Sequence, residues 1–223
     1  MKNKELEKKL LKLFSQFTGK AKADYLIEEI EANAITVREM EKSGESEVSF
    51  KNGCFTRFSK KALGTNKFIG FFNKQDGEII RMICDGIFLA RLNDRLFLCL
   101  VELKKNINNN FERVVKQVEG SYLKTSMLLS LLCNIKDIEL AVFIGGRLEK
   151  IIDEPDIDYL EKVDEFRERG DNLESKLKEF SHNRNVLMNF PFFLETIIHE
   201  NYRKKNVAVY HMGNGDTFDM QTL

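Results

Sequence analysis

Three side chains in this sequence have the types and the spacing for cation-assisted chemistry: Asp85, Glu102 and Lys104. Asp85 interrupts the apolar run "GEIIRMICDGIFLARL", and Glu102 and Lys104 lie at the end of "RLFLCLVELKK". Between the runs stand Asn93 and Asp94, two residue types that tolerate the positive φ of a two-residue hairpin turn. With Leu92 opposite Arg95, counting back along both strands sets Asp85 opposite Glu102 and Ile83 opposite Lys104. Side chains alternate along a strand, so Asp85, Glu102 and Lys104 share one face. Two carboxylates directly opposite one another destabilise a strand pair, and a carboxylate enclosed in an apolar sheet needs a partner. Lys104 can neutralise one acid only. A divalent cation between the two would remove the conflict.

The elements that position these groups are read from periodicity. Residues 67–72, "KFIGFF", form a short apolar strand, and the composition of 73–77 marks a turn. With the hairpin this predicts a three-strand meander. A helix is expected over 110–133, capped by Asn108 to Asn110, with Phe111, Val114, Val115, Val118, Tyr122, Thr125 and Leu129 as its apolar stripe. Arg113, Gln117, Ser121 and Lys124 form a polar stripe on its flank. Residues 138–145, "IELAVFIG", read as a buried strand, parallel to 95–103 across the crossover helix. The fold class is therefore α/β: a mixed sheet of three-strand meander, crossover helix and parallel fourth strand, flanked by helices.

Asp85 followed by Glu102-Leu103-Lys104 resembles the PD-(D/E)xK nuclease superfamily, the restriction-endonuclease-like group, over roughly 66–145. Cys84 stands where the name-giving Pro would be. Two other ExK strings, Glu7-Lys8-Lys9 and Glu174-Ser175-Lys176, lie in charged helix-like segments; only Glu102 ends an apolar run. The RecB-like branch carries Gln and, four residues on, Tyr in the crossover helix. Here Gln117 is followed by Ser121, with Tyr122 one place later. The resemblance implies a metal-dependent nuclease hydrolysing phosphodiester bonds of DNA, in defence, restriction or repair. Asp85, Glu102 and Lys104 would be catalytic. Asp85, Glu102 and the Leu103 carbonyl would hold Mg²⁺, with Mn²⁺ able to substitute. Arg113, Gln117 and Lys124 are the expected nucleic-acid contacts, and a homodimer or a separate ATPase partner fits the family. Such nucleases often bring one more acid from the first core helix; Asp24, Glu28, Glu29 and Glu31 are the candidates here.

A chain of 223 residues suits a single nuclease-like domain. It divides into N-terminal helices over 1–35, a catalytic core over 66–145 and a helical and hairpin extension over 153–223. The helices are read at 2–17 and 21–34 from apolar spacing, and 37–49 reads as a polar loop or edge excursion. Residues 49–59 could be a strand with a turn at Asn52-Gly53, followed by a basic cluster of Arg57, Lys60, Lys61 and Lys67. The segment 153–183 is charged helix, 186–202 is Phe-rich, and the last residues suggest a hairpin about Gly213 to Gly215. Lys+Arg and Asp+Glu both number 35, so the net charge is zero and nucleic-acid contact must come from local patches. No apolar run reaches membrane-span length and no signal peptide is recognised, so a cytoplasmic protein without membrane contact is expected. The four cysteines lack CxxC spacing and read as reduced, and no GxxxxGK[ST] loop encodes a nucleotide motor. Two alternatives remain beside the nuclease: a catalytically inactive scaffold of the same fold binding nucleic acid or protein, and a plain sheet with charges at its strand ends.

Overall fold

The computed structural model describes residues 8–9, 27–41, 44–64, 82–106, 111–131, 133–147, 185–188 and 207–223. Its centre is the hairpin. β3 (Gly86–Leu92) and β4 (Arg95–Asn106) pair antiparallel from Leu92↔Arg95 down to Gly86↔Val101. That is the register the Asn93-Asp94 turn dictates, and Asn93 takes the required left-handed backbone, φ 53°. α2 (Phe111–Ser130) follows and packs against β4, and β5 (Ile138–Arg147) then runs parallel to β4 from Leu96↔Ile138 onward. Val114, Val115, Val118, Tyr122, Thr125 and Leu129 are all buried, as their helical spacing predicts.

Upstream, the structure departs from the sequence reading. β1 (Ile27–Glu41) and β2 (Gly44–Phe58) form a long antiparallel hairpin. The expected helix over 21–34 is therefore strand from Ile27 on, and the segment 37–49, read as a polar loop or edge excursion, is paired strand over 37–41 and 44–49 at the edge of the sheet. Apolar residues at 27, 30 and 34 suit a helix, but Ile27, Ile30, Ile35, Thr36 and Val37 are β-branched and favour strand. Pairing along the whole of β2 decides the matter. Asn52-Gly53 is a bulge rather than a chain reversal. Ala32 pairs Phe55 and Ala34 pairs Lys51, so two steps on β1 match four on β2, and Asn52 has φ 61°.

The bulge lets one edge of β2 serve two strands. Beyond it, Cys54–Arg57 pair antiparallel with β3; before it, Ser49–Lys51 pair parallel with β8 (Thr217–Asp219). β2 thus holds the position beside β3 that the meander reading gave to 67–72, a segment outside the described residues. β7 (Val207–Met212) lies parallel to β5, with β6 (Asn185–Met188) antiparallel on its far side. The sheet order is β1-β2-β3-β4-β5-β7-β6, with β8 against β2. The C-terminal turn exists, with Asp216 N–H donating to Gly213 O at 3.2 Å, but it links β7 to a strand paired elsewhere, so no hairpin forms. The helices expected over 2–17 and 153–183 lie outside the described residues, apart from 8–9, which are helical.

One sheet face is covered by the β1–β2 hairpin itself. Ile35, Val37, Val48, Phe50 and Phe55 close over Phe88, Ala90, Phe97, Cys99, Val101, Leu103 and Phe143. Phe50 sets its ring edgewise against Phe88, 5.0 Å between centroids, and Phe143, 4.8 Å. The approach of β1 depends on Gly86: a Cβ there would lie 2.9 Å from Val37 Cγ1 and 3.3 Å from Val101 Cβ. Alternation puts Ile87, Leu89, Leu98, Leu100 and Glu102 on the opposite face, the face β4 offers to α2. The molecule is thus α/β, with a mixed, mostly antiparallel sheet and few helices among the described residues. Among the described residues no helix is long and apolar enough to cross a membrane.

Candidate active site

Where the β3–β4 ladder ends, Asp85, Glu102 and Lys104 meet. Asp85 sits one residue before the first paired position, and its carboxylate Oδ2 accepts the Leu103 N–H at 2.8 Å. All three side chains are enclosed: Asp85 is 3%, Glu102 0% and Lys104 8% exposed. Lys104 Nζ donates to Glu102 Oε1 and, at 3.1 Å, to the carbonyl of Leu103. The second oxygen of Glu102, Oε2, is buried and has no hydrogen-bond partner among the described residues. Burial raises the Glu102 pKa to about 8; the Asp85 charge adds to the rise and the Lys104 ammonium opposes it. The carboxyl repulsion argued from the sequence is therefore present in the fold.

Two further residues complete the cluster, and both escaped the sequence reading of the site. Lys60 opens the short helix α1 (Lys60–Gly64), directly after β2. Its ammonium lies 2.5 Å from Asp85 Oδ1 and 3.2 Å from Glu39 Oε2. Glu39 comes from the end of β1, two residues beyond the core residue Val37 and so on the same face of that strand. Burial raises the Glu39 pKa, and so does the Asp85 carboxylate beside it, with Lys60 acting the other way. For Lys60 burial works downward, but the hydrogen bonds and charges of Asp85 and Glu39 outweigh it and the pKa rises. The additional acid at this site is thus Glu39 on a strand. Of the acids expected from 21–34, Glu28 pairs with Arg57 at 3.2 Å and Glu29 is exposed; both lie on β1, and Asp24 falls outside the described residues. The basic cluster is likewise divided: Arg57 donates to Thr36 O at 2.9 Å, Lys60 serves the acids and Lys61 is exposed.

The polar stripe of α2 does not face solvent as a whole. Arg113 is exposed, but Gln117, Ser121 and Lys124 are buried and hold the segment leading into Asp85. Lys124 Nζ donates to Met82 O at 2.8 Å, Gln117 Nε2 donates to Ile83 O at 3.1 Å, and Ser121 Oγ accepts the Cys84 N–H at 2.7 Å. Three side chains at i, i+4 and i+7 of one helix thereby fix three consecutive residues that have left the ladder. Burial lowers the Lys124 pKa to about 8. Lys124 and Gln117, expected at the nucleic-acid backbone, are in this fold the supports of Asp85. The periodicity located the stripe but could not say what passes over it.

The donor set suits a hard divalent cation. Asp85 and Glu102 offer carboxylate oxygens, Leu103 offers a carbonyl, and Glu102 Oε2 is a buried oxygen without a hydrogen-bond partner among the described residues. Among the described residues no three His, Cys, Asp or Glu side chains converge as a ready-made cage. Two carboxylates plus a carbonyl, with water and substrate oxygens filling the rest, is the mode in which Mg²⁺ is commonly held. Comparison with family models, with curated proteins and with solved structures returned no match.

Proposed function

We propose that this chain is a Mg²⁺-dependent nuclease of the PD-(D/E)xK type, with a restriction-endonuclease-like core, that hydrolyses phosphodiester bonds of DNA. One observation carries the reading. Asp85, Glu102 and Lys104 converge at the open end of the hairpin, and Glu102 Oε2 is buried there with no hydrogen-bond partner among the described residues. The order of hairpin, α2 and parallel β5 supports it. Asp85 and Glu102 would hold the ion, with Leu103 O as a third donor, and Mn²⁺ would serve in its place. The ion, when bound, supplies charge that stabilises the attacked phosphate and acidifies a water. Lys104 donates from the same face and offsets negative charge growing on the phosphate. The hydrogen bond from Leu103 N–H keeps Asp85 aimed at that face.

Lys60 also favours a second reading, the inactive scaffold. Two ammonium groups already balance Asp85 and Glu102, so the cluster can persist without an ion. One experiment decides. Purified protein is incubated with plasmid, single-stranded DNA and RNA in Mg²⁺, Mn²⁺ or EDTA. Cleavage of DNA that EDTA and Asp85→Asn both abolish is the expected result. Nucleic acid left intact under every condition, by protein that is folded, would establish the scaffold instead.

A further inference from the structure

Lys60 and Lys104 neutralise the same cluster in different ways. Lys104 is enclosed and tied to both Glu102 and Leu103 O, so it has nowhere else to go. Lys60 reaches in from outside: its side chain is 42% exposed, whereas that of Asp85 is 1% exposed. Its backbone is anchored independently, by the fully buried Leu63 and by the Leu63 N–H donating to Ser59 O at 3.1 Å. The ammonium can therefore withdraw while α1 stays in place. Its position is the telling feature. It bridges Asp85 Oδ1 and Glu39 Oε2, where a cation would draw on both carboxylates. An ammonium has donors only, so it cannot share Asp85 Oδ1 with a metal ion without direct repulsion.

We infer that Lys60 is a retractable counter-ion, which a divalent ion must displace from Asp85 and which then turns to the phosphate of the nucleic-acid substrate. The inference rests on the metal-dependent reading of the site. Displacement exchanges one positive charge for two beside Asp85 and leaves Lys60 with Glu39 and solvent. The next anion to arrive at that rim is the phosphodiester itself. Lys60 thus lowers metal affinity in the free protein and raises substrate affinity in the loaded one, which links the two binding events.

The test is calorimetric titration of Mn²⁺ into the full chain at fixed ionic strength, with melting temperatures measured alongside. Lys60→Met is expected to tighten Mn²⁺ binding by about tenfold, a modest factor because the ion pair is partly exposed. Lys60→Arg should restore the original affinity and Lys61→Met should leave it unchanged. With Ca²⁺ saturating, Lys60→Met should bind a DNA oligonucleotide several-fold more weakly than the parent chain. Should Lys60→Met fold poorly, Lys60→Gln, which can still hydrogen-bond Asp85, replaces it. Equal or weaker Mn²⁺ binding by the variant overturns the inference. So does tighter Mn²⁺ binding with DNA affinity unchanged. Asp85→Asn separates the two levels: if it abolishes Mn²⁺ binding while Lys60→Met changes nothing, the metal centre stands and only the role of Lys60 falls. If Asp85→Asn binds Mn²⁺ as the parent does, or no protein binds it, both fall together.

Discussion

Lys104 and Lys105 are neighbours with opposite surroundings, which makes them a matched pair for testing the site. Lys104 is buried against Glu102, and Lys105 is exposed on the other side of β4. Lys104→Ala is expected to slow single-turnover cleavage by about 100-fold or more, the range for losing a positioned electrostatic group. Metal affinity should hold or tighten slightly, since a nearby positive charge is gone. Lys105→Ala should do far less at the chemical step, and equal losses from both would dismiss Lys104 as a catalytic group. Glu102 supports a second prediction, on pH. Its carboxyl holds a proton up to about pH 8 in the folded chain, against an ordinary value of 4.5. Between those values the folded state binds the extra proton, so metal-free stability should fall as pH rises across that window. Glu102→Gln should flatten this dependence. Urea unfolding in EDTA at pH 5 and pH 8 measures it, and a parent chain more stable at pH 8, with the slope lost in Glu102→Gln, would reverse the sign assigned to this carboxyl.

The helix α2 has a task its apolar stripe does not reveal. Its hydrogen bonds to 82–84 take over where the β3–β4 ladder has stopped. Ser121→Ala leaves the buried Cys84 N–H without its acceptor, at a cost of about 1–3 kcal/mol. Denaturant unfolding should show that loss, and metal affinity should weaken as Asp85 loses its support; an unchanged stability would mean that water replaces the hydroxyl. This element shows what a sequence can and cannot disclose. The hairpin register, α2 and the parallel β5 were legible because turn chemistry and apolar period are local signals that agree with the tertiary result. Asp85, Glu102 and Lys104 followed from the register. Lys60 and Glu39 did not, since they reach Asp85 through β1–β2, whose N-terminal part mimics a helix period. The buried side of the α2 polar stripe was also hidden. Only the passage of 82–84 across it turns Gln117, Ser121 and Lys124 inward, and no period in the sequence records that crossing.

Across the whole molecule, positive and negative side chains are equal in number, so attraction to a polyanion must be local. Of the three residues expected at the DNA backbone, Arg113 alone is exposed; Lys124 and Gln117 are committed to carbonyls. Arg113→Ala should reduce the slope of log affinity against log salt by about one, as for the loss of one phosphate contact. Lys124→Met should leave that slope unchanged. Oligonucleotide binding in Ca²⁺ at several salt concentrations checks both, and a shallower slope for Lys124→Met would mean that its ammonium leaves Met82 to reach DNA.

The shared edge of β2 has a consequence for how the chain is made. On the edge away from β1, Ser49 to Lys51 pair with Thr217 to Asp219, and Glu47 N–H, beside them, bonds Asn214 Oδ1 from 167 positions away. At roughly 5–20 residues per second of ribosomal synthesis, that stretch waits on the order of ten seconds for its neighbour. Meanwhile it presents open backbone groups next to Val48 and Phe50, a template for any other strand. Closing so distant a contact last also makes for slow maturation. A chain ended before Thr217 keeps that template permanently. It is expected to scatter light and pellet at concentrations where the full chain stays dispersed, and to do so even with Asp85, Glu102 and Lys104 untouched.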